Sequence, residues 1–178
     1  MTKSAHRIGA YHGETGVGGL LLLFVLTQLV SAAMLIFQIP RTFAGFSGPT
    51  WALGADSTWF RPTLVFEAAS QILRVVGTLV GLVLLFARRP ATPRFYRAFL
   101  AAALALAVID ALLITKVYSQ LHATLVGLGA STGGLAGSRY VALLGDFRSG
   151  VYALLWLLYW RGSERVRQTF ARERARRA

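Results

Sequence analysis

There is no cysteine in the chain, so disulfides and thiolate metal sites are excluded at the outset. Histidine is almost as scarce. His6, His12 and His122 make no ligand pair with metal-site spacing, and metal catalysis has no support. Acidic residues number seven against nineteen lysines and arginines, and charged residues make up only 15% of a chain that is 55% hydrophobic. Too few polar residues remain for a soluble helical bundle, which needs a polar face on each helix. Leu20–Val30 and Val75–Phe86 have almost none. Nucleotide fingerprints are missing as well. The glycine-rich run TLVGLGASTGGLAG matches neither GxGxxG nor GxxxxGK[ST]. No nucleophile–base triad or cofactor motif stands beside it, so no cofactor is expected.

What the chain does have is four apolar blocks of near membrane length. About twenty apolar residues, rising 1.5 Å each, cross the hydrocarbon. The fold class expected is therefore all-α, an integral membrane protein with four transmembrane helices. The spans fall at about 17–39, 63–87, 98–117 and 141–160, between an N-terminal segment 1–16 and a basic tail 161–178. The first block is too long for a typical signal-peptide core and reads as a retained span. Pro40 is expected to end it, since proline cannot continue the hydrogen-bond ladder without disruption. Pro62 suits the first position of the second helix, and Thr92 and Pro93 suit the cap and first position of the third. Residues 41–61 mix loop breakers with five aromatics, which suits a membrane–water interface. Residues 118–140 are expected to be a surface-packed loop with at most a short helix. The alternative is a shallow re-entrant segment, which requires protein cover for its backbone.

The formal charge of +12 raises the question of nucleic acid, but its distribution answers it. The N-terminal segment, the Arg88–Arg97 connection and the tail together hold ten of the twelve net charges. In a four-span protein all three regions lie on one side. This is the positive-inside pattern, with both termini in the cytoplasm. Arg88, Arg89, Arg94, Arg97, Arg165 and Arg167, with Phe170, are expected to meet phospholipid headgroups or a protein partner. No nucleic-acid partner is expected.

A few charged residues fall inside the spans, where they are costly and informative. Glu67, Gln71 and Arg74 share a helical face by their spacing of four and three. Gly77 and Gly81 form a small-xxx-small surface on the same helix, suited to close approach. Asp110 is the single acid of the third span, and Asp146 and Arg148 sit in the fourth. Being two apart, Asp146 and Arg148 do not face each other. The set Glu67, Gln71, Arg74, Asp110, Asp146 and Arg148 reads either as an internal ion network that fixes packing or as a polar ligand or transport site. Arg148, Tyr152, Trp156 and Tyr159 line one broad strip. That strip is either aromatic packing behind a basic residue or a lipid or organic-anion site.

Several stretches carry a family resemblance. GGLLLL at Gly18–Leu23, Glu67 at the start of the second span, RFYRAFL at Arg94–Leu100 and IDALL at Ile109–Leu113 are similar to the DUF2569 family of small bacterial membrane proteins of unknown function. So is the ending, Arg148 followed by Trp156, Tyr159 and Ser163–Phe170. It resembles the family's S-x-R-V-K-x-T-F, with Arg167 in place of lysine. The resemblance implies a four-helix protein of the bacterial inner membrane and transfers no activity. The function expected is a non-enzymatic structural or regulatory subunit of a membrane complex, bound to a membrane-protein partner or to its own copies. The alternative is a small transporter or lipid-handling protein that uses the intramembrane Glu/Arg/Asp cluster.

Overall fold

The computed structural model describes residues 19–54 and 57–175, apart from the side chains at 49, 50, 53, 165 and 171–175. The segment 1–16 and the last residues of the tail lie outside that range. Six helices follow in order: α1 (Leu20–Ala44), α2 (Gly48–Leu53), α3 (Phe60–Phe86), α4 (Thr92–Gly127), α5 (Leu135–Gly162) and α6 (Glu164–Ala175). No strand occurs among the described residues. The helices α1, α3, α4 and α5 are long and apolar enough to cross a membrane.

Helices pack side by side, α1 on α3, α3 on α4 and, most extensively, α4 on α5. The α3–α4 contact follows directly from glycine spacing. A Cβ at Gly77 would overlap the Phe99 ring, and one at Gly81 would stand 2.8 Å from Tyr96. No larger residue fits without moving a ring, so the two glycines set how closely these helices approach. The bundle closes at one end through aromatics. Phe24 of α1 meets Tyr96 of α4 and Trp156 of α5 at 4.8 Å each, and Tyr96 stacks on Trp160 at 4.6 Å. The start of α1, the α3–α4 turn and the end of α5 therefore share one end of the bundle.

Three helix boundaries differ from the sequence-based expectation. Pro40 does not end α1, which continues to Ala44. The proline lies in the last turns, where its missing N–H removes a single ladder bond and the rest of the helix stands. Thr92 does not cap α4. Its hydroxyl instead donates to the carbonyls of Leu84 and Arg89 and ties the end of α3 to the start of α4. Finally, most of 118–140 is helix. The helix α4 runs on to Gly127 and α5 begins at Leu135, leaving a connection of 128–134 with Gly129 at φ +67°. The glycines begin only at Gly127, whereas the preceding YSQLHATLV holds no glycine or proline to stop a helix.

The other connections are short. Arg61 pins α2 by donating to the Trp51 carbonyl at 3.2 Å and lying over the Trp51 ring at 4.7 Å. At the other end, Ser163 leaves the helical conformation (ψ 117°), and α6 folds back against α4. The Ser163 hydroxyl accepts the Val166 N–H and so caps the new helix.

Candidate functional site

The polar residues of the spans fall into two groups. Arg74 lies 14 residues from Phe60 and 12 from Phe86, so it sits near the middle of α3, about 18–21 Å from either end at 1.5 Å per residue. Facing it across the bundle are Asp110 of α4 and Asp146 of α5. Asp110 is only 9% exposed, and its carboxyl neighbours that of Asp146. Arg74 acts on both acids through space, as does Glu67 from the loop end of α3. Among the described residues the ion pair within 4 Å is Arg167–Glu164 on α6, so Arg74 acts on its acids from farther away. Arg74 Nε, Asp110 Oδ1 and Asp146 Oδ2 are all buried with no conventional hydrogen-bond partner.

Gln71 and Arg148 leave this group. Gln71 is buried and donates to the Leu35 carbonyl at 2.8 Å, which holds α3 to α1. Arg148 is exposed and points to a second feature, a groove of about 430 Å³ bordered by all four spans. Its polar lining is Arg74 and Thr78 from α3, Gln28, Ser31 and Gln38 from α1, and Arg148, Ser149 and Tyr152 from α5. Its apolar lining is Met34, Leu35, Phe99, Leu100, Ala103 and Ala153. Among the described residues no carboxylate lines it.

The groove has a simple origin. The helices α1 and α5 touch at the aromatic end, where Gln28 donates to the Tyr152 hydroxyl at 3.1 Å and Tyr152 donates to Thr27 at 2.9 Å. Farther along, the rim residues Met34, Gln38, Arg148 and Ser149 are exposed. The result is a cleft with two guanidinium groups on its walls, hydroxyls and amides around them, and an apolar floor. It suits an anion that carries a hydrocarbon part.

A larger groove of about 710 Å³ lies toward the α2 end. Glu67 is its charged residue, between Ser57, Thr63, Tyr118 and Gln120 and the apolar faces of Leu64, Ile114 and Leu121. The Gln120 Oε1 there accepts from the Ser57 hydroxyl at 3.0 Å, which fastens the α2–α3 connection to α4. Glu67 thus opens to one groove, and Arg74 and Arg148 open to the other.

At the opposite end, a pocket of about 250 Å³ is bordered by Arg94, Arg97, Arg161 and Arg167. Arg97 donates to the Pro93 carbonyl at 3.1 Å, and Arg167 is paired with Glu164. Arg88 and Arg89 are exposed on the α3–α4 turn. Phe170 is placed inward, 5% exposed and 6.1 Å from the Trp160 ring, where with Val166 it anchors α6. The Arg165 side chain lies outside the described residues. Sequence reasoning passed over Ser149, Gln38, Thr78 and Arg161. Only Arg161, next to the end of the fourth span, carried a sequence signal. The others are small polar residues that become conspicuous only when four helices bring them to one cleft.

Among known families, one described as a protein of unknown function, DUF2569, matches residues 14–171. No curated protein and no solved structure matches the chain.

Proposed function

Since the chain belongs to the DUF2569 family, whose description assigns no activity, its chemistry has to come from its own residues, and we propose that it is a non-enzymatic membrane protein that binds an organic anion in the groove between α1 and α5. The occupant is an amphiphile with an anionic head at Arg74 and Arg148 and a hydrocarbon tail along Met34, Leu35 and Phe99. The observation that carries this reading is the groove itself: two guanidinium groups, several neutral donors and no carboxylate among its described lining. An arginine held within a bilayer costs about 2.5–3.5 kcal/mol on insertion scales. Arg148 has no ion-pair partner within 4 Å among the described residues, so an anion in the groove offsets that cost. Arginine stays charged at all working pH values and is a poor proton-transfer group. The groove is accordingly suited to holding a ligand, which favours the transport or lipid-handling role over that of a purely structural subunit.

The placement in the membrane belongs to the same proposal. The protein lies in the cytoplasmic membrane of a bacterium with both termini inside. The clustering of Arg88, Arg89, Arg94, Arg97, Arg161 and Arg167 at one end of the bundle supports this. The 250 Å³ arginine pocket then faces inner-leaflet headgroups.

The test is calorimetric titration of octane-1-sulfonate into the full chain in phosphatidylcholine nanodiscs, with empty discs as reference. Losing a hydrogen bond to a charged group costs about 1.5–3 kcal/mol, so Arg148→Gln is expected to weaken binding by about tenfold or more. Arg88→Gln, at the far end of the bundle, is expected to leave it unchanged. Equal affinity in wild type and a folded Arg148→Gln protein refutes the proposal.

A further inference from the structure

The 710 Å³ groove at the α2 end carries a charge of the opposite sign from the cleft between α1 and α5. Among its described lining residues Glu67 is the charged one, and no lysine, arginine or histidine borders it. Glu67 also has no basic partner within 4 Å among the described residues. Three basic residues of that end lie elsewhere. Arg61 is held by the Trp51 carbonyl and ring. Lys116 is exposed outside the lining, and His122 and Arg139 line a separate groove.

The uncharged polar groups point the same way. A hydroxyl that has donated its single proton presents only lone pairs. Thr63 donates to the Trp59 carbonyl at 2.7 Å, Thr124 to that of Gln120 at 3.1 Å and Ser138 to that of Gly134 at 3.2 Å. Ser57 donates to Gln120 Oε1 at 3.0 Å. All four hydroxyls line the groove, and each offers it an acceptor. Donors remain on the Gln120 amide nitrogen and the Tyr118 hydroxyl. Thr63 and Glu67 are four apart and share a face of α3. Glu67 lies seven residues from Phe60, about 10 Å along the axis at 1.5 Å per residue. The carboxylate is thus at the deep end, the Ser57–Gln120 bond is at the mouth, and Leu64, Val117 and Leu121 form apolar walls.

We propose that this groove binds a lipophilic primary amine in its ammonium form, with the head at Glu67 and Thr63 and the hydrocarbon tail along Leu64, Val117 and Leu121. A primary ammonium has three donors and no acceptor, which matches a carboxylate beside hydroxyls whose protons are already spent. Its bond to Glu67 is charge-assisted, and walls that exclude water strengthen it. The site shares no lining residue with the anion groove, so either stands without the other.

The test is calorimetric titration of octylammonium chloride into the full chain in phosphatidylcholine nanodiscs, with empty discs as the reference for partitioning. It is run at about pH 8, where an alkylammonium, like the lysine side chain, is charged. Saturable binding beyond that of the empty discs is expected. Octan-1-ol, the same chain without the charge, is expected to bind about tenfold more weakly or less, and Glu67→Gln to weaken octylammonium binding by about tenfold or more. Ala142→Phe fills the groove and leaves Glu67 in place, and it is expected to abolish binding. Glu164→Gln, on α6 at the far end, is expected to change nothing. Wild-type affinity in a folded Glu67→Gln protein overturns the proposal, and so does equal binding of octylammonium and octan-1-ol by the wild type. Undiminished binding by Ala142→Phe places the amine elsewhere and overturns it as well, as does heat no greater than that of the empty discs.

Discussion

The α3–α4 contact gives a prediction whose sign depends on one partner. In Gly81→Ala the new Cβ would stand 2.8 Å from Tyr96 Cζ and from its hydroxyl, and 2.9 Å from Cε1. Favourable carbon contacts lie at about 3.5–4.0 Å, so one side must give by nearly an ångström. The Tyr96 ring has nowhere to go. It is fully buried, edge-on to Phe24 at 4.8 Å, stacked on Trp160 at 4.6 Å and against Phe95 at 5.7 Å. Overpacking of this kind costs about 1–3 kcal/mol. Alanine's helix preference over glycine returns about 1 kcal/mol. The net expectation is a loss of up to about 2 kcal/mol. In a Tyr96→Ala background the steric part vanishes and only the helix preference remains. There Gly81→Ala is expected to stabilise, by up to about 1 kcal/mol. A double-mutant cycle measured by reversible unfolding in mixed micelles, followed by tryptophan fluorescence, isolates the coupling. Equal costs for Gly81→Ala in both backgrounds refute the claim that this ring and this glycine set the helix separation.

Two further predictions concern the end of the bundle that carries the arginines. Arg88 has φ +47°, the left-handed region that side chains other than glycine adopt at a cost of roughly 1–2 kcal/mol. Arg88→Gly is therefore expected to raise stability by about 1 kcal/mol, read as a higher unfolding midpoint, and an unchanged or lowered midpoint rejects the strain. Phe170→Ala removes the ring packed on Trp160 at 6.1 Å, for which core truncations suggest about 3 kcal/mol. That is enough to release α6. Trypsin is expected to cut after Arg167 much faster in the variant than in wild type, and equal cleavage rates show that α6 does not depend on this contact.

The class of fold was legible because length and hydropathy are properties of single segments. Leu20–Val30 and Val75–Phe86 identify a membrane helix without reference to anything they touch. Gly77 and Gly81 were legible for a similar reason, since a spacing of four fixes one face of one helix. Boundaries were less legible where two signals competed. Pro40 and the glycine run both suggested a stop. At Pro40 one lost bond near a helix end was too small to matter. After Val117 the breakers came ten residues later than the change in composition. The site was legible in its residue types and not in its grouping. Glu67, Arg74, Asp110 and Asp146 were conspicuous as charges in apolar helices. That Arg148 points away from Asp146 was legible in their spacing of two, but that it would share a cleft with Arg74 and Gln38 was not. Gln71 likewise looked like a member of the charged face until its amide proved to be taken by the Leu35 carbonyl.

The position of Arg74 bears on the choice between a packing lock and a binding site. A lock made of arginine and carboxylate is strongest as a short, bidentate pair whose donors are all used. It also needs that geometry to recover the desolvation of two charges. Arg74 has no carboxylate within 4 Å among the described residues, and its Nε is buried without an acceptor. The acids it influences are turned to one another. Arg74 also borders the groove, together with Arg148, Thr78, Ser149 and Tyr152. An arginine whose work was finished inside the protein would have little reason to line a cleft, and its loss would destabilise the bundle alone. One that serves both sides shows its second role in ligand affinity.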